Sequence, residues 1–263
     1  MTPTIVKLGG SVITYKEQVF TPNQPAINRL AEELADAQLP SLILIHGGGS
    51  FGHPVAQQYR IAEGYTAPSQ LIGFAKTRQA MMTLNKLVID ACVRQALPVV
   101  TVQPSACMTT RGGRLHNFDI NVLQHVLHLG CIPVLYGDAV VDLDLGFTII
   151  SGDQLAAALA TAFQAEHVVL AVDVDGLFTD DPKVNPHAVL IPQIVLDEVK
   201  GLLNRIAEAT TVDVTKGMRG KITALLPAVE GGSHITLVNA RVAGRLTKAL
   251  KGETVMSTHI TRD

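Results

Sequence analysis

The chain has no tryptophan, and only 4% of its 263 residues are aromatic. It has three cysteines, Cys92, Cys107 and Cys131, with no CxxC spacing. An odd, unpatterned set excludes a disulfide framework and speaks against a cysteine zinc site. No apolar run approaches the ~18 residues that a membrane-spanning helix needs. The opening Met1-Thr2-Pro3-Thr4-Ile5-Val6-Lys7 lacks the basic start and apolar stretch of a secretory signal. A cytoplasmic protein is expected. Neither charge sign dominates: 21 Lys+Arg face 23 Asp+Glu, for a net charge of −2. Without a block of like charge, neither a nucleic-acid partner nor a membrane surface is expected. What the chain does have is 47% hydrophobic residues and 22 glycines. That is core material for a folded α/β domain with close backbone approaches to a ligand.

The chain alternates between two kinds of segment. Thr4 to Leu8 is a short β-type run ending at Gly9-Gly10, and Leu42 to Ile45 is another, ending at His46-Gly47-Gly48-Gly49. Runs that are apolar throughout suit strands buried on both faces of a parallel sheet. Between them, Ile27, Leu30, Ala31 and Leu34 have helical spacing over 23–38, which completes a right-handed βαβ unit. A long helix over 69–96 places Phe74, Met81, Leu84, Val88 and Ala91 on one face. Strands are expected at 99–103, 132–136, 168–172, 235–239 and 254–260, and helices at 119–129, 196–208, 217–230 and 242–250. Gly112-Gly113 and the Asp142–Gly146 stretch mark two hairpins. Ser151-Gly152-Asp153 opens a further helix, with Ser151 or Asp153 as its cap. The stretch 173–176 is a turn, and the proline-containing stretch 180–193 an ordered loop. No repeat or linker divides 1–263, so one domain with two lobes, about 1–165 and 166–263, is expected.

Three glycine-rich corners stand out: Gly9-Gly10-Ser11, Gly47-Gly48-Gly49-Ser50-Phe51-Gly52, and Gly217…Gly220-Lys221. Glycine lets backbone N–H groups approach an anion closely, and a helix N-terminus adds its field. Gly47, Gly49 and Gly52 also spell G-x-G-x-x-G, but no acidic residue ends the next strand, so a dinucleotide-binding dehydrogenase fits poorly. No G-x-x-x-x-G-K-[ST] occurs. Lys7, Lys16 and Lys221 each lie beside a corner. Cations beside anion sites are what phosphoryl transfer needs, because the transition state spreads charge over the equatorial oxygens. His53, ending the second corner, is placed to donate a hydrogen bond to a phosphate oxygen. The other histidines, among them His116, His125, His128 and His187, read as surface or loop residues without metal-ligand spacing, so no protein-held metal is expected. Nothing suggests a Ser/His/Asp triad or a covalent intermediate.

These residues resemble the amino acid kinase superfamily. The resemblance rests on Val6-Lys7-Leu8-Gly9-Gly10-Ser11 with Lys16, Ser151-Gly152-Asp153, Asp173-Val174-Asp175-Gly176-Leu177-Phe178-Thr179 with Asp181-Pro182, and Thr215-Lys216-Gly217-Met218-Arg219-Gly220-Lys221. It runs in order from residue 6 to 221. Within the superfamily, Ile45-His46-Gly47-Gly48-Gly49-Ser50-Phe51-Gly52-His53 and the opening Gly9-Gly10-Ser11-Val12-Ile13-Thr14-x-Lys16 resemble the isopentenyl phosphate kinase family. The resemblance implies a three-layer α/β/α sandwich with a mostly parallel sheet and β-hairpins over the substrate side. It implies ATP with Mg²⁺, isopentenyl phosphate as acceptor, direct in-line transfer and a homodimer. The first lobe would take the acceptor and the second the nucleotide.

By the same resemblance, Lys7, Gly9, Gly10 and Ser11 would hold the ATP phosphates, and Lys16 would stabilise the transferring group. Gly48, Gly49 and His53 would serve the acceptor phosphate and the ATP γ-phosphate. Gly152 would touch the acceptor, Asp153 would orient the lysines, and Asp173, Phe178, Gly217 and Lys221 would serve the nucleotide. Compact N–H donors plus His53 suit a monophosphate acceptor, and Phe74, Met81 and Leu84 could line a pocket for a prenyl tail. The sequence departs from the family pattern at Lys216, where glycine is usual, and at Tyr15, where an acidic residue is usual. Two alternatives stand beside this reading: a fosfomycin kinase-like phosphonate kinase, and a non-catalytic nucleotide-binding regulator. Intact Lys7, Lys16, His53 and Lys221 weigh against the second.

Overall fold

The computed structural model describes residues 2–180, 185, 187–208 and 213–263, without the side chains of 204–208 and 213–217. The chain opens with β1 (Thr4–Leu8), α1 (Gly10–Ile13), α2 (Gln24–Ala37), β2 (Leu42–His46), α3 (Gly49–Gln58) and α4 (Ser69–Arg94). It continues through β3 (Val99–Thr101), α5 (Pro104–Cys107), β4 (Met108–Arg111), β5 (Arg114–Phe118), α6 (Asn121–His128), β6 (Ile132–Tyr136), β7 (Asp138–Asp142) and β8 (Gly146–Ile150). Then come α7 (Gly152–Phe163), β9 (His167–Val172), β10 (Leu177–Phe178), β11 (Leu190–Ile191), β12 (Gln193–Val195) and α8 (Leu196–Glu208). The chain closes with α9 (Asp213–Glu230), β13 (His234–Asn239), α10 (Arg245–Leu250) and β14 (Ser257–Thr261).

Eight strands form the central sheet in the order β12-β14-β13-β9-β1-β2-β6-β3. Pairing is parallel except between β13 and β14. The continuous apolar runs follow from burial on both faces. In β1 and β2, Ile5, Ile43 and Ile45 face Leu155 and Leu159 of α7 and Leu225 of α9. Val6, Leu8 and Leu44 face Leu30 of α2 and Met81 and Leu84 of α4 on the other side. Each fully buried Leu or Ile contributes about 1.5–3 kcal/mol, so this alternation fixes the strand register strongly. The outcome is the expected three-layer α/β/α sandwich.

The two expected hairpins join in a smaller four-stranded sheet, β5-β4-β7-β8. Gly112 and Gly113 take φ of 54° and 77°, as a two-residue hairpin turn requires. The buried Asp142 carboxylate accepts N–H bonds from Gly112 and Gly113 of one turn and from Asp144 and Leu145 of the other. Those bonds hold its pKa below the usual carboxylate range, against the opposing effect of burial.

Two expectations needed correction. The third glycine corner is no corner: α9 starts at Asp213 and runs through Gly217 and Gly220. Ile222, Leu225, Ala228 and Val229 bury one face of that helix, which outweighs the ~1 kcal/mol propensity cost of each glycine. The loop expected over 180–193 is also partly strand. Leu190–Ile191 pairs antiparallel with Leu177–Phe178, and Gln193 enters the main sheet beside β14. The prolines of that stretch hid a short apolar run. Residues 181–184 lie outside the described residues, so the Asp181-Pro182 motif gains no structural account.

Candidate active site

The sheet extends from β1 in opposite directions. β2, β6 and β3 lie on one side, and β9, β13, β14 and β12 on the other. Such a switch point opens a crevice at the carboxyl ends of parallel strands. The first two glycine corners meet there. A Cβ on Gly10 would overlap the Gly49 amide nitrogen, and one on Gly47 would come within 2.8 Å of the Gly10 nitrogen. Thr14 pins the two loops together: its hydroxyl donates to Gly10 O at 2.7 Å and accepts from Ser50 N at 2.9 Å. Among the described residues, the N–H groups of Gly10, Ser11, Gly48 and Gly49 make no hydrogen bond. Four free donors around one crevice make an anion site.

Lys7 enters this crevice because of strand alternation. It shares the Ile5 face of β1 and therefore points toward the start of α7. There Ser151 caps the helix in a reciprocal capping box with Gln154, so Ser151 rather than Asp153 is the cap. That leaves the Asp153 carboxylate free, 2.8 Å from Lys7 Nζ and 3.3 Å from Lys221 Nζ. Gly152 lies so close that a Cβ there would come 3.2 Å from Lys7 Cε. Lys7 is only 3% exposed. Burial lowers its pKa, Lys221 lowers it further, and Asp153 opposes both. Burial raises the Asp153 pKa, but Lys7 and Lys221 outweigh it and hold the group below the ordinary value. Two ammonium groups share one carboxylate, which leaves a net positive charge for a bound anion to neutralise.

A second ion cluster flanks the first. Lys16 donates to Asp173 at 3.1 Å, and Arg241 lies 3.7 Å from the same oxygen. Arg241 also donates to Ser11 O at 3.4 Å. His53 stands on α3 beside Gly48. The surrounding protein, then the charges of Lys221, Lys7 and Lys16, hold its pKa below 6.5. His53 thus lies within electrostatic reach of Lys7, Lys16 and Lys221.

The structure therefore gathers Lys7, Gly9, Gly10, Ser11, Lys16, Gly48, Gly49, His53, Gly152, Asp153, Asp173 and Lys221 around one crevice. Phe178 stands apart, half-buried in the β10–β11 hairpin opposite Leu190. Gly217 lies on the α9 backbone, but its surroundings, like those of Lys216, lie outside the described residues. The α4 face divides. The Met81 sulfur abuts Gly48 and Gly52, and Leu84 is core. Phe74 stacks on Phe147 with ring centroids 5.1 Å apart. Thr14, Arg241 and His46 were not singled out beforehand. Thr14 carried a local signal, a hydroxyl four residues after Gly10, while Arg241 arrives only through tertiary folding.

His46 is fully buried, with Nδ1 3.1 Å from Gly47 O and Nε2 3.2 Å from Asn85 Oδ1. Burial is the main cause lowering its pKa to about 4, with Lys7 adding to it. The unfolded chain takes up this proton near pH 6.5, whereas the native protein resists until about pH 4. Stability from this residue is therefore complete above about pH 6.5 and lost as pH falls to about 4, by about 3 kcal/mol. Urea unfolding at about pH 7 and about pH 4.5 should show a steeper acid loss in wild type than in His46→Asn. Parallel losses would refute a neutral buried ring.

The chain resembles known kinases over nearly its whole length. The amino acid kinase family model matches residues 2–239. The isopentenyl phosphate kinase of Methanothermobacter thermautotrophicus is 41% identical over 269 residues, covering 98% of each chain. That of Methanocaldococcus jannaschii is 32% identical, covering 95% of each. A crystal structure of an isopentenyl phosphate kinase superposes with a TM-score of 0.86 at 38% identity, covering 98% of this chain and 99% of that one. The chain belongs to the amino acid kinase family, and the full-length relatives it matches at 41% and 32% identity are both isopentenyl phosphate kinases.

Proposed function

We propose that this chain transfers the γ-phosphoryl group of ATP to isopentenyl phosphate, giving isopentenyl diphosphate and ADP, a step that feeds isoprenoid synthesis. The observation that carries the reading is the Lys7–Asp153–Lys221 cluster, set beside two touching glycine loops with free N–H groups. Transfer between two phosphates needs little covalent help from the protein. It needs alignment, and positive charge where the equatorial oxygens gain charge. Lys7 and Lys221 supply that charge from a fixed position, because Asp153 ties them to the N-terminus of α7. Gly9, Gly10 and Ser11 hold the donor phosphates, while Gly48, Gly49 and Gly152 admit the acceptor phosphate without steric obstruction.

His53 donates to the acceptor phosphate, and Lys16 leaves Asp173 to follow the transferring group. Asp173, Phe178, Gly217 and Lys221 complete the nucleotide side. Mg²⁺ arrives with ATP on its phosphate oxygens. Among the described residues no group of three His, Cys, Asp or Glu could hold a metal ion, and Asp153 and Asp173 already have cationic partners. On this reading the acceptor belongs to the lobe of about 1–165 and the nucleotide to that of 166–263, in a cytoplasmic homodimer. No helix among the described residues is long and apolar enough to cross a membrane.

An ADP-release assay with MgATP tests the reading, with isopentenyl phosphate, dimethylallyl phosphate, fosfomycin, glutamate and UMP offered separately. Selective turnover of isopentenyl phosphate is the expected result. Turnover of fosfomycin alone would keep the phosphate site and overturn the prenyl acceptor. His53→Ala should lower kcat by about 10²-fold while ATP binding stays within about threefold, as loss of one transition-state donor does. Equal loss of ATP affinity would move His53 to the nucleotide side.

A further inference from the structure

The second glycine loop leaves one peptide to be oriented by a side chain. The peptide joining His46 and Gly47 is held from both ends by backbone: Gly47 N donates to Leu8 O at 2.9 Å, and His46 O accepts from Gly137 N at 3.1 Å. The next peptide, joining Gly47 and Gly48, has no such ladder. Its carbonyl faces His46 Nδ1 at 3.1 Å. In a planar trans peptide the C=O and the N–H point in opposite directions. A bond that fixes the Gly47 carbonyl against the buried ring therefore aims the Gly48 N–H the other way, into the crevice.

The ring itself is held in turn. It is fully buried and stacks on Tyr136 with centroids 5.3 Å apart. Its Nε2 faces Asn85 Oδ1 at 3.2 Å, and Asn85 Nδ2 donates to Thr101 Oγ1 at 2.8 Å. A neutral imidazole cannot donate to Gly47 O and Asn85 Oδ1 at once. Turning the Asn85 amide over resolves this. Its N–H then donates to Nε2, its oxygen accepts the Thr101 hydroxyl, and Nδ1–H is left for Gly47 O. Both ring nitrogens, the Asn85 oxygen and the Thr101 hydroxyl then each have a complementary partner, as a buried network requires.

We propose that His46 is a positioning residue: as the Nδ1–H tautomer it anchors the Gly47 carbonyl, and so aims the Gly48 N–H at the acceptor phosphate. The role of Gly48 rests on the phosphoryl-transfer reading above; the tautomer does not. The neutral state that burial imposes on the ring is consistent with this role.

Two replacements separate the ring nitrogens. Asparagine places its amide N–H where Nδ1 lies, and glutamine places its own near Nε2. His46→Asn should keep kcat/KM for isopentenyl phosphate within about fivefold of wild type, while His46→Gln loses about 10²-fold, the scale of a misaimed transition-state donor. The KM for ATP should stay within about threefold in both, because the nucleotide side is untouched. Equal losses in the two variants, or better activity in His46→Gln, would overturn the proposal. Imidazole ¹⁵N spectra of the wild-type protein give a readout independent of turnover and of variant folding. A protonated Nδ1 with bare Nε2 supports the assignment; protonation at Nε2 alone refutes it. If wild-type protein leaves isopentenyl phosphate untouched, the functional reading fails, and the spectra still decide the tautomer.

Discussion

Lys7→Met should lower kcat about 10³-fold or more, with the KM for ATP rising only a few-fold, because a fixed charge beside the developing phosphoryl charge acts mainly in the transition state. Methionine nearly matches the length of the lysine stem, so the strand face stays filled. Asp153 keeps Lys221 as a partner at 3.3 Å, so the carboxylate is not left uncompensated. That distinguishes this site from an isolated buried ion pair, where removing one member costs about 3–5 kcal/mol through the orphaned charge. Circular dichroism should therefore match wild type while turnover collapses. A kcat within tenfold of wild type would show that Lys7 is a structural partner of Asp153 and nothing more. Lys221→Ala, judged by the same two parameters, shows whether the partly exposed lysine shares the load.

Gly49→Ala should destabilise the protein by about 3 kcal/mol or more and abolish measurable transfer. Gly49 has φ of +48°, a conformation that costs an L-residue roughly 1–2 kcal/mol. Its new Cβ would also overlap the Thr14 hydroxyl and come within 2.6 Å of Gly10 O. Neither neighbour can retreat, since Gly10 O accepts the Thr14 hydroxyl and Thr14 in turn accepts Ser50 N. The loops would have to separate, breaking the ring of N–H donors. Gly220→Ala is the internal control. Its Cβ would meet nothing within 4 Å, and it sits inside α9. An exposed helical glycine changed to alanine should gain about 0.5–1 kcal/mol. Denaturant unfolding of the two variants checks both signs. A Gly49→Ala protein as stable as wild type would mean that the two loops are free to part.

What the sequence made legible was chemistry carried by the backbone and by strand period. Gly9-Gly10 and Gly47-Gly48-Gly49 were readable because a glycine run after a buried strand has a local meaning. Lys7 was readable because a cation at an inward position of an apolar strand demands an explanation. Gly217 and Gly220 misled because the same residue type serves inside a helix when the opposite face is strongly buried, and only the Ile222, Leu225, Val229 stripe decides between the two. Arg241 and the His46–Asn85 chain were silent for another reason. Each acquires its partner from a distant segment: Arg241 reaches Ser11, and His46 meets Asn85 on the opposite layer. No window of neighbouring residues contains that information. Asp153 was identified as a partner of the lysines through family resemblance, and the Ser151 capping box supplies the physical reason it is available.

The lysine cluster also bears on how the protein comes into being. Lys7, Asp153 and Lys221 come from the beginning, middle and late part of the chain and meet when α7 and α9 pack on β1, which sits between β2 and β9 in the parallel sheet. Parallel pairing across long crossovers closes large loops and belongs to the slow end of folding. A chain still emerging from the ribosome lacks Lys221 until α9 has been made, so it cannot assemble the charged centre early. During refolding from urea, recovered turnover should then lag behind recovered helix signal, making catalysis itself the clock for the last topological step.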